Sequence, residues 1–156
     1  MKKTVATILI LSIALISLFG CSKRVGVVEV RGQITVVVET VEKEYQVYTA
    51  MLEDIENKQN GLMCVLLHMS ERENDPLPLT IEENRFGSYV AAIGSISQNV
   101  DEGLSIIVYT SVASDSYGRA TVVQYGDMTL YQSGLGISGM SAYKDSVILF
   151  RLEKHY

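Results

Sequence analysis

From Val25 onward the chain is written in short β-branched runs, each closed by a turn signal. VGVVEV (25–30) and QITVVVETV (33–41) flank Arg31-Gly32, and LMCVLLHM (62–69) follows Asn60-Gly61. RFGSYVAAIGSIS (85–97) carries glycines that read as bulges, and LSIIVYTSVAS (104–114) follows Asp101-Glu102-Gly103. GRATVVQY (118–125) and MTLYQ (128–132) meet at Gly126-Asp127, and SVILFRL (146–152) comes last. Branched and aromatic side chains suit a pleated surface, and the glycine-bearing pairs supply tight reversals. The pattern predicts a mainly β protein: an antiparallel sandwich or small barrel.

One segment departs from it. Val41, Tyr45, Tyr48, Leu52 and Ile55 fall at spacings of four and three, one face of a helix, and AMLEDIENKQ is rich in helix formers. The spacing predicts one helix over 41–58, although YQVYT within it is strand-like. ERENDPLPLT (71–80), with both prolines of the chain, reads as a polar loop.

The first residues, MKKTVATILILSIALISLFGCSKR, have the layout of an export signal. Lys2 and Lys3 precede an uncharged apolar stretch from Val5 to Phe19, short for a membrane span of about 20 residues. The stretch ends in Leu18-Phe19-Gly20-Cys21. This resembles the lipobox of bacterial lipoproteins, with Phe19 where a smaller residue is usual. The resemblance implies cleavage before Cys21, acylation of that cysteine and anchoring in a membrane. Several acyl chains make such anchoring stable where one gives only reversible binding. The expected organisation is a signal peptide over 1–20, a lipidated tether over 21–24 and one β-rich domain over 25–156. Ser22 stands where, by the family's rule, an aspartate would retain the protein in the inner membrane. In a Gram-negative cell the outer membrane is therefore expected.

Removing the first 20 of the 156 residues leaves 136, enough for one domain with a real core. It also removes two lysines, so 11 basic side chains face 18 acidic ones, a net charge of −7. An acidic domain without a basic cluster argues against nucleic acid, whose phosphates need Lys and Arg. With Cys21 given to lipid, Cys64 has no partner within the chain, and its apolar surroundings read it as a small core residue.

Chemical motifs are sparse. SGLGISG (133–139) contains G-x-G-x-x-G, with Glu153 lying 19 residues past Gly134. A dinucleotide loop must open a helix and lead through a crossover of at least 10–12 residues. Only nine residues, ISGMSAYKD, separate Gly136 from Ser146, so the run reads as a glycine-rich turn and no cofactor is expected. His68 and His155 have no companion at metal spacing. Glu71, Glu73 and Asp75 could gather calcium but lack the EF-hand spacing. Glu82-Glu83 and Asp101-Glu102 are adjacent pairs, which on a strand point to opposite faces and make no dyad. Tyr109, Tyr125, Tyr131 and Tyr143 could line a sugar- or peptide-binding face, against the simpler reading of sheet packing.

Residues 122–150, VVQYGDMTLYQSGLGISGMSAYKDSVILF, resemble the middle of the membrane-bound C-type lysozyme inhibitors. Those are small β-barrel lipoproteins whose inhibitory loop carries S-G-x-x-Y. Here Ser138-Gly139-Met140-Ser141-Ala142-Tyr143 has one residue more. The resemblance implies that Ser138 would donate a hydrogen bond to a lysozyme carboxylate, and that the acidic domain would be steered to a cationic enzyme.

Together these features predict a lipid-anchored envelope protein acting as a non-catalytic binding or structural module. Its expected partners are the membrane, through the lipid, and a protein or other envelope component. The expected contact loop holds Ser133, Gly134, Gly136, Ser138, Gly139 and Tyr143. Inhibition of lysozyme is one alternative. An envelope hydrolase is the other, since a Ser–His–acid triad needs no proximity in sequence, though no G-x-S-x-G elbow is present.

Overall fold

The computed structural model describes residues 24–85, 87–118 and 120–154; the expected export signal, Cys21 and His155 lie outside them. The fold is mainly β, as the runs predict, with one α-helix and two sheets among the described residues. Strands β1 (Gln33–Glu39) and β2 (Tyr45–Met51) lead through a 3₁₀ turn (Leu52–Asp54) to helix α1 (Leu62–Ser70). Strands β3 (Leu79–Asn84), β4 (Gly87–Ile93) and β5 (Ile96–Ser97) follow. Then come β6 (Leu104–Thr110), a second 3₁₀ turn (Ala113–Asp115), β7 (Val122–Tyr125), β8 (Met128–Gln132) and β9 (Val147–Lys154).

The larger sheet runs β2-β1-β9-β6-β8-β7, and the smaller β3-β4-β5. All neighbours are antiparallel except β1 and β9, which pair in parallel from Thr35↔Val147 to Glu39↔Arg151. One face of the larger sheet packs on α1 and the smaller sheet. There Ile34, Val36, Val38, Ile148 and Phe150 meet Leu62, Val65, Leu66 and Met69 of the helix and Val90, Ile93 and Ile96 of β4 and β5. The other face carries its own cluster of Val37, Tyr109, Leu130, Val147 and Leu149. Covered on both faces, β1 holds an unbroken Val36-Val37-Val38 rather than an alternation. Tyr45 and Tyr125, on the two edge strands, meet edge to face with ring centroids 5.1 Å apart. The sheet is thus curled until its rims touch, without closing into a hydrogen-bonded barrel.

Four expectations are corrected. Residues 41–58 do not form a helix: β2 and a 3₁₀ turn occupy them, and the three-four spacing coincides with residues along a strand whose outer face is exposed. The helix lies instead at Leu62–Ser70, in the run read as a strand. VGVVEV forms no regular strand; its only ladder contact is an isolated parallel bridge, Val28↔Ala142. Part of the expected polar loop, with the residues after it, is strand β3.

Candidate functional site

The glycine-rich run joins β8 to β9, passing over β6, which lies between them in the sheet. It is a series of turns and opens no helix. Its backbone groups are spent inside the domain. Gly26 N donates to Ser138 O at 3.0 Å and Ala142 N to Val27 O at 2.8 Å, which seats the N-terminal segment. Leu62 N donates to Met140 O at 2.9 Å and Met63 N to Ile137 O at 3.1 Å. These carbonyls satisfy the otherwise orphaned first N–H groups of α1.

Asp115 ties the same region together and is fully buried. It accepts from Ser141 N at 2.6 Å and from Arg24 Nη2 at 2.8 Å, while its own carbonyl accepts from Gly134 N at 2.9 Å. Ser133 Oγ accepts from Leu135 N at 3.1 Å. Of the expected contact residues, only Gly136 is exposed; Ser133, Gly134, Ser138 and Tyr143 are half-buried and Gly139 is buried. The structure therefore brings these six together, but as a strut between the N-terminal segment, α1 and the sheet. Gly136 also borders a slot of about 120 Å³ with Leu135, Ile137, Tyr89 and Gln98.

A larger cleft of about 440 Å³ lies along the exposed side of α1. Ile55, Met63 and Leu67 give it an apolar lining; Asp54, Glu56, Glu71 and His68 supply ionisable groups; Asn57, Gln59 and Asn60 supply amides and carbonyls. Helical periodicity stacks Cys64, His68 and Glu71 on this side, while Leu62, Val65, Leu66 and Met69 face the core. Read as a strand, the run concealed that grouping; the four-residue step from Cys64 to His68 was its only trace. The Cys64 thiol donates to Gly61 O at 3.0 Å. Burial pushes its pKa up, so it stays protonated at neutral pH. Among the described residues, no three His, Cys, Asp or Glu side chains are placed to hold a metal ion.

The other sequence candidates are apart. Glu82 accepts from Tyr89 Oη at 2.6 Å and Glu83 from Ser88 Oγ at 3.4 Å on opposite faces of β3. Tyr109 and Tyr125 belong to the second cluster, whereas Tyr131 pairs with Thr110 on the opposite face and Tyr143 is in the strut. Tyr109 Oη donates to Glu153 Oε1 at 2.6 Å. Arg151 links Glu153 (3.4 Å) to buried Glu39 (3.6 Å), and Glu39 also takes Lys43 Nζ at 2.7 Å.

No family model matches this chain, and no curated protein does. Several solved structures are similar in fold, and two illustrate the likeness. A proposed metal-binding protein from Ruminococcus gnavus ATCC 29149 superposes with a TM-score of 0.53 at 13% identity, over 80% of this chain and 99% of that one. Haptocorrin in complex with Cbi gives a TM-score of 0.52 at 13% identity, over 80% of this chain and 25% of haptocorrin. This chain thus spans about a quarter of haptocorrin's length.

Proposed function

We propose that this chain is a non-catalytic module binding a small ligand in the cleft beside α1, held at a bacterial envelope membrane by acyl chains on Cys21. The cleft carries the reading. Its volume of about 440 Å³ falls within the range of small-molecule sites, and its lining mixes apolar side chains with a few polar groups, as such sites do. A protonated thiol is a poor nucleophile, so the cleft's one sulfhydryl fits a lining role better than a catalytic one. Of two solved proteins of similar fold, one is described as metal-binding and the other was solved in complex with Cbi. The absence of a three-ligand cluster among the described residues favours an organic ligand over a bare metal ion.

Native mass spectrometry of the protein gently extracted from its own envelope tests the cleft. A bound mass is expected, and Leu67→Trp, which fills the opening, should abolish it. Titration with Cbi and with divalent ions extends the test. No bound mass, and no shift in melting temperature with either, would remove the reading. The anchor is tested separately: intact-mass analysis should show Cys21 as an acylated N-terminus, and a free thiol there overturns it.

A further inference from the structure

The anchor leaves open how the domain sits against the bilayer, and the segment that follows the tether addresses it. Residues 24–30 lie with one side pressed on the strut, where Gly26 and Val28 are buried. The other side is bare and apolar: Val25 is 57% exposed, Val27 56% and Val30 71%. Basic side chains border it. Arg31 and Lys144 are exposed, with Glu53 near Arg31 held by the Gly32 amide, whereas the guanidinium of Arg24 is bound to Asp115 and Ser114 O. Lys144 lies against Gly32, and its amide donates to the Glu29 carboxylate, which turns that acid toward the backbone.

We propose that this strip, Val25, Val27 and Val30 with Arg31 and Lys144, docks on the surface of a bilayer containing anionic lipid. The proposal rests on the acylation of Cys21. The length of chain before the structure argues for this occupant: Cys21 precedes Arg24 by three residues, a reach of at most about 11 Å. A cysteine whose acyl chains enter the hydrocarbon therefore holds the strip within or just above the headgroup layer. Apolar side chains then enter the interface, and the basic groups meet lipid phosphates. The acidic remainder of the domain is repelled, which favours this face over any other.

The test uses the full lipidated protein reconstituted in vesicles of phosphatidylcholine and phosphatidylglycerol. Flotation reports the anchor. An amine-reactive reagent followed by mass spectrometry reports docking at Lys144. Lys154, exposed at the far end of β9, is the internal standard. Lys144 should react about fivefold more slowly in the natural protein than in the V25S/V27S/V30S variant in the same vesicles. All three replaced side chains are exposed, so the variant keeps its core. Flotation with equal Lys144 reactivity in both proteins removes the docking alone; failure to float removes anchor and docking together. Protection that grows with protein density at fixed lipid composition assigns the strip to a second copy and overturns the proposal.

Discussion

At the scale of single residues, two polar contacts concentrate the consequences. Asp115 is a carboxylate taken fully out of water, and its partners are an arginine from the start of the domain and an amide near its end. Removing a buried acceptor strands its donors. Asp115→Ala should lower unfolding stability by about 2–3 kcal/mol, less than for a fully enclosed pair because Arg24 is partly in water. Asp115→Asn keeps an acceptor for Ser141 N and should cost about 1 kcal/mol. Denaturant midpoints at unchanged slope check both values. Tyr109 offers a pH test. Burial, and then its hydrogen bond to Glu153, hold the phenol above its ordinary value of 10.0. The fold therefore favours the neutral form. That contribution is complete below about pH 10 and drains away as pH climbs beyond it, because the unfolded chain gives up the proton first. Denaturant midpoints should fall between about pH 10 and pH 11, and Tyr109→Phe should flatten that fall. An equal fall in both proteins would remove Tyr109 as the source.

At the scale of elements, strands were read from sequence better than the helix. Runs bounded by turns, such as VVQY-GD-MTLYQ, became the β7–β8 hairpin because alternation and turn chemistry agree there. Helix α1 failed for the opposite reason. LMCVLLHM is apolar on nearly every side, so no periodicity marks a helix, and a run this short looks the same as a buried strand. What selects the helix is tertiary: Asn60 and Gly61 both adopt positive φ, and strut carbonyls receive the first helical amides. The cleft was hidden with it, since its Cys64, His68 and Glu71 share a side only in a helix. Gly61 has φ +55°, and a Cβ there would stand 2.3 Å from Met140 O. Gly61→Ala should destabilise the protein by about 2 kcal/mol or more and loosen α1, seen as faster amide exchange across 62–70. Exchange unchanged in the variant would show that the helix does not depend on this contact.

At the scale of the whole molecule, the larger sheet is organised around its last strand. β9 lies between β1 and β6, so the first and last strands pair in the middle of the sheet rather than at an edge. Deleting 147–154 should abolish cooperative unfolding altogether, not trim stability, because both flanking strands lose their neighbour at once. A truncated protein that still unfolded cooperatively, by circular dichroism and calorimetry alike, would contradict this topology. The curl is a smaller effect. Tyr125→Ala removes the ring contact that brings the rims together and should cost about 1–2 kcal/mol, read from the denaturant midpoint. The central position of β9 has a further result for biosynthesis. A nascent chain emerging N-terminus first carries the β1–β2 pair and β6 with no strand to join them until β9 has left the ribosome. Premature locking of the sheet is thereby avoided. Until β9 is made, the larger sheet lacks its centre, and its two halves stay free of one another.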